Sequence, residues 1–123
     1  MSYPTYDYTF QQYANDADRT ARPYPERRQH LMRAALGLCG EAGEFADLLK
    51  KAMFHGPGHE LDVTKATKEL GDVLWYVADA AAALGVSLED VAKMNRDKLR
   101  KRYPDGFTPK ASVTRVDADE VKP

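Results

Sequence analysis

The chain has 123 residues and a formal charge of −1, with 43% hydrophobic and 30% charged residues. That length suits one domain with a modest core, and the near-zero balance speaks against a general nucleic-acid binder, which is usually strongly basic. A lone cysteine, Cys39, excludes an internal disulfide framework and suits a reducing compartment.

The opening "MSYPTYDYTF" lacks a charged n-region and an apolar h-region, so it does not read as a signal peptide. The most apolar run, Val73 to Val86, contains Asp79 and is too short to span a bilayer. A cytoplasmic protein without membrane attachment is the expectation. A first helix opens after Thr9, with Phe10, Tyr13, Ala14, Ala17 and Ala21 at helical spacing. Pro23 and Pro25 break it. A long second helix runs from about Glu26 to about Phe54. "HGPGHELD" is a loop, with two glycines around Pro57. The third helix runs from about Val63 to Leu84 and stops at Gly85. Ser87 and Asp90 resemble a capping box for a fourth, from Leu88 to about Arg102. The chain looks irregular from "YPDGF" onward, and residues 111–123 read as a loose or partner-docked tail after a single domain over 1–110. The expected fold is all-α, a bundle of about four main helices. "DVLWYVADAAAALG" in the third helix is hydrophobic nearly all round, which implies cover by a second subunit as well as by this chain.

The chemistry concentrates in two pairs of acids. In "GEAGEF", Glu41 and Glu44 are three apart and share a helical face. In "ELGD", Glu69 and Asp72 repeat that spacing on the third helix. The two pairs are symmetric about a point between Gly56 and Pro57, inside the loop. An antiparallel hairpin therefore sets Glu41 level with Asp72 and Glu44 level with Glu69. Four carboxylates so close repel one another and raise each other's pKa, unless a cation compensates. All-oxygen ligands favour Mg²⁺ or Mn²⁺. A di-iron bundle would use Glu-x-x-His pairs, which neither motif has, and outside "HGPGH" the three histidines and Cys39 lack zinc-like spacing. The bland alternative is a set of solvated charges on amphipathic helices. Against it stand the mirrored placement and the apolar surroundings. A carboxylate-held Mg²⁺ suits hydrolysis at a phosphorus centre by an activated water. Gly37, Gly40 and Gly43, poor helix formers at one spacing, suggest that a helix or a phosphate approaches the backbone there.

"GEAGEFADLLKK", followed by "KELGDVLWYVADAAAALGVSLEDVAKMNRDKLRKRYPDGF", resembles the MazG-like nucleoside triphosphate pyrophosphohydrolases of the all-α NTP pyrophosphatase superfamily. The pattern is Glu-x-x-Glu, a gap of 24 residues, Glu-x-x-Asp, then Asn-x-x-Lys-Leu-x-x-Arg, over roughly Leu31 to Phe107. The resemblance implies hydrolysis of an NTP or dNTP between the α and β phosphates, giving the monophosphate and pyrophosphate. It implies Mg²⁺ held by Glu41, Glu44, Glu69 and Asp72, with Glu41 or Glu44 also activating the water. It further implies a dimer or tetramer with the site near a subunit interface. A phosphoribosyl-ATP pyrophosphohydrolase of related fold, and a catalytically silent helical partner protein, are the alternatives.

Other positions carry two readings each. Tyr76, one turn past Asp72, contacts the sugar or is a buried tyrosine with a satisfied hydroxyl. Asn95, in a stripe with Leu88, Ala92, Leu99 and Tyr103, binds substrate or fixes packing register. Lys98 and Arg102 clamp the triphosphate or complement a helix C-terminus. Asp79 is expected to pair with a basic residue. His30 lies about 16 Å from Glu41 along the helix at about 1.5 Å per residue, too far to share a metal. Trp75 points off the Asp72 face, into core or interface. The N-terminal aromatics, Tyr13 among them, dock on the bundle or stack on a base.

Overall fold

A computed structural model describes residues 2–120, the side chains of residues 119 and 120 excepted. In chain order it contains α1 (Phe10–Asp18), α2 (Arg27–Phe54), α3 (Val63–Leu84), α4 (Leu88–Arg102), α5 (Pro109–Thr114) and a closing 3-10 turn (Val116–Glu120). The protein is all-α. Among the described residues no strand forms, and no single helix is long and apolar enough to cross a membrane. Internal packing divides the chain into two compact units that meet in sequence between Leu88 and Glu89.

In the first unit α1 starts at a complete capping box. Thr9 Oγ1 accepts the Gln12 N–H at 3.1 Å, and Gln12 Oε1 accepts the Thr9 N–H at 2.6 Å. The helix ends at Asp18, one turn short of Ala21. The Thr20 hydroxyl donates to the Ala17 carbonyl at 2.8 Å and accepts from Trp75 Nε1 at 2.9 Å, so α3 fixes the turn that ends α1.

α2 and α3 form the antiparallel hairpin, with α1 laid against α3. Its register shows in pairs spaced about the loop. Arg27 Nε donates to the Ala83 carbonyl at 2.8 Å and Nη2 to that of Leu84 at 3.3 Å. This places a cation on the last carbonyls of α3. One turn on, His30 meets Asp79. Next, Gly37 meets Tyr76: a Cβ built on Gly37 would lie 2.1 Å from Tyr76 Cε1, so only glycine admits that ring. Asp62 caps α3 by accepting the Lys65 N–H at 3.1 Å. Gly85 ends the helix with φ +75°, while the Val86 N–H reaches the Ala81 carbonyl and the Gly85 N–H that of Ala82. This αL termination is favoured by a residue without a Cβ.

The core of this unit is thin. Ala17, Ala78, Ala81 and Leu88 form its buried cluster, with Tyr13, Ala14, Trp75 and Val77 packed around it. No large side chain among the described residues is fully buried. Met32 and Leu36 on α2 and Leu70 and Leu84 on α3 stay exposed. Within this chain α3 is therefore less covered than its all-round hydrophobicity suggests.

The second unit corrects two sequence expectations. Residues 91–100 of α4 are all exposed, so Ala92, Asn95 and Leu99 do not form an inward stripe within this chain. The expected tail is helical instead of loose. Thr108 caps α5 by accepting the Ala111 N–H at 3.0 Å, Pro109 occupies its first turn, and Arg115 ends it at φ +49°. Asp117 is buried and takes both arms of the Arg102 fork at 2.6 Å each. The last three residues of the expected tail lie outside the described residues.

Candidate metal centre

The acids of α2 and α3 meet near the middle of the hairpin. Glu41, Glu69 and Asp72 each offer one carboxylate oxygen, and the three lie within 4.8 Å of one another. Glu41 and Glu69 are half-buried and Asp72 is exposed. The hairpin register alone produces this convergence, because Glu41 faces Asp72 across the helices and Glu69 lies one turn from Asp72.

Burial, and then the charges of Asp72, Glu69 and Glu44, push the Glu41 carboxyl above its ordinary value. Such an excess of negative charge on oxygen donors fits a hard divalent cation. Glu44 is outside the close group of three: it is exposed, and its charge is felt by Glu41 and Lys51. The spacing rule placed all four acids on one patch. The structure groups three of them tightly and leaves Glu44 at the rim.

The flanking positions separate into those near the hairpin and those on α4. Tyr76 is half-buried, packed over Gly37 and edge-on to Trp75, with ring centroids 4.9 Å apart. It sits one turn from Asp72, as its spacing implies. Tyr13 of α1 is one of several N-terminal aromatics in the sequence. Its phenol is pushed up by burial and then by the Asp72 charge, which places it near the acids. No periodic signal in α1 singles it out, because the link to Asp72 runs through tertiary packing.

Lys50 and Lys51, near the loop, both pair with Asp47, at 2.9 and 2.6 Å. Those hydrogen bonds hold the Asp47 carboxyl at about 2. Gly40, Gly43 and Gly71 differ from Gly37. A Cβ at any of these three meets no atom within 4 Å, so no neighbour among the described residues accounts for them. Cys39, just before Gly40, is exposed.

Asn95 and Lys98 lie on the exposed surface of α4. Arg102 has its guanidinium fork taken up by Asp117, a bidentate arrangement that raises the arginine pKa and draws the Asp117 carboxyl down to about 2.

The family described as the MazG nucleotide pyrophosphohydrolase domain matches residues 29–107. A protein of Mycobacterium phage L5, named only "Gene 37 protein", is 43% identical over 75 residues, which is 58% of this chain and 64% of that protein. The chain thus aligns with somewhat under two thirds of this relative's length. No solved structure matches the chain significantly.

Proposed function

Because this chain belongs to the MazG nucleotide pyrophosphohydrolase domain family, we propose that it hydrolyses a nucleoside or deoxynucleoside triphosphate between the α and β phosphates. The products are the monophosphate and pyrophosphate, and the reaction depends on Mg²⁺, which Mn²⁺ replaces. The observation that carries this reading is the convergence of Glu41, Glu69 and Asp72 within 4.8 Å across the hairpin.

Those three carboxylates, with Glu44 at the rim, are the groups that would hold the cation. When bound, a divalent cation neutralises charge on the phosphate oxygens and acidifies a water. The residues do the rest. Glu41 or Glu44 orients the attacking water and takes its proton. Burial and the neighbouring acids push the Glu41 carboxyl above its ordinary value, a repulsion that a bound cation would relieve. Tyr76, held over Gly37 one turn from Asp72, contacts the sugar. Asn95 and Lys98 bind substrate from the exposed surface of α4. Arg102 joins them in holding phosphate when a phosphate replaces Asp117 in its fork.

We also assign the protein a homo-oligomeric state, dimer or tetramer. Its support is the exposed apolar surface of Met32, Leu36 and Leu70, together with glycines at Gly40 and Gly43 that nothing among the described residues approaches. The test of activity is incubation with a panel of NTPs and dNTPs plus Mg²⁺, with products separated by chromatography. Pyrophosphate and a monophosphate are expected. Orthophosphate as the released product, or no turnover of any nucleotide, overturns the reading.

A further inference from the structure

The "HGPGH" loop between α2 and α3 carries two histidines that the proposed hydrolysis does not use. His55 caps the C-terminus of α2, and His59 follows four residues later. Between them Gly56 and Gly58 hold φ of +78° and +91°, in the left-handed region that favours glycine. The loop so built holds the two imidazoles edge to face, with ring centroids 5.6 Å apart and planes at 88°. Both residues are exposed, so burial does not drive the rings together.

Two imidazoles on one ion each place a nitrogen about 2.0–2.1 Å from it, which sets their centroids roughly 4.5–6.5 Å apart according to the angle at the metal. The observed separation falls inside that span. The surrounding charges also favour a cation. The C-terminus of α2 is the negative end of the helix dipole. Residues 55–62 contain Glu60 and Asp62 and no lysine or arginine. The lysines that precede them, Lys50 and Lys51, are both engaged by Asp47. Imidazole suits Zn²⁺, whereas carboxylate oxygens suit Mg²⁺ or Mn²⁺. His55 lies 14 residues beyond Glu41, about 21 Å along α2 at the helical rise, so the pair is separate from the acids of the hairpin. The third histidine, His30, has its Nε2 2.7 Å from Asp79 Oδ1 and stands apart from both.

We propose that His55 and His59 form a site for a transition-metal dication of the zinc class. The two imidazoles chelate the ion, water completes its coordination, and the ion clips the loop that joins α2 to α3.

The probe is Zn²⁺, titrated into the untagged full chain in excess Mg²⁺, which keeps the carboxylates occupied. The imidazole ¹⁵N resonances, followed by NMR, report which histidines bind. Saturable uptake of one Zn²⁺ per chain is expected, with shifts at His55 and His59, none at His30, and a raised thermal midpoint. His55→Ala and His59→Ala each weaken binding at least tenfold. The wild-type resonances decide the matter even where a variant fails to fold. Uptake that does not saturate overturns the proposal, as do shifts at only one of the two histidines. One Zn²⁺ per two chains means that each chain lends a single histidine, and overturns the chelate. Loss of binding in Cys39→Ser or Glu41→Gln with retention in folded His59→Ala places the ion on α2 instead, and also overturns it.

Discussion

Single side chains on the hairpin have effects of opposite sign. Glu41→Gln, Glu69→Gln and Asp72→Asn each remove one oxygen donor from a group of three that lies within 4.8 Å. Loss of a metal ligand is expected to lower kcat by about 100-fold or more, since each tenfold in rate is about 1.4 kcal/mol and metal assistance contributes several. Steady-state kinetics on the substrate found by the nucleotide panel checks this. A fall of less than about tenfold in all three removes these acids from the chemistry. The glycines form a second series. Gly37→Ala drives a methyl into the Tyr76 ring and is expected to destabilise the fold by about 1–3 kcal/mol in urea unfolding. Gly40→Ala and Gly43→Ala meet open space in this chain and should add about 0.5–1 kcal/mol of helix stability. If either instead loses activity or assembly while the helix is stabilised, a second subunit or a phosphate approaches that backbone. If both keep activity and assembly, these two glycines carry no site.

At the scale of elements, two charged contacts hold helix ends. Arg27 donates to the carbonyls of Ala83 and Leu84, so α2 caps α3. Arg27→Met keeps much of the stem and removes those donors. It is expected to lower stability by about 1 kcal/mol, read as a shift in urea midpoint. The second contact is Arg102 with Asp117, which fastens the closing 3-10 turn to the end of α4. Asp117 has its pKa drawn below the unfolded value, so the pair stabilises the folded state above about pH 4. That contribution fades as pH falls below the unfolded pKa and is gone once the pH passes through about 2. Backbone amide shifts of residues 111–118, followed by NMR against pH, should titrate with a midpoint near 2 and not near the ordinary carboxylate value. Asp117→Asn should abolish that transition. The same contact bears on the substrate role assigned to Arg102, whose fork would have to exchange a carboxylate for a phosphate.

For the molecule as a whole, the unusual property is how little large apolar surface it hides. Its buried cluster is mostly alanine, while Met32, Leu36, Leu70 and Leu84 remain exposed. A protomer of 13.8 kDa with such a core is modestly stable by itself, and association would bury these side chains. Sedimentation equilibrium should give twice or four times the protomer mass. Leu36→Glu should shift it toward the protomer and lower the thermal midpoint. A wild-type protein that stays at 13.8 kDa at high concentration ends the oligomer proposal.

The four main helices, most of their ends and the acidic hairpin follow from local order in the chain. Thr9, Asp62 and Gly85 mark boundaries through bonds made within a turn, and these are readable without tertiary knowledge. The facing of Glu41 and Asp72 was also legible, because two antiparallel helices of fixed rise joined by a short loop allow essentially one register. Only the tertiary structure decided the remainder. Tyr76 over Gly37, Tyr13 near Asp72 and His30 on Asp79 depend on which faces of three helices meet. The rim position of Glu44 and the anchoring of Asp117 depend on side-chain reach across a packed contact. Spacing along a helix gives angle and height, but not which neighbour covers a face, and contacts between elements are set by that cover.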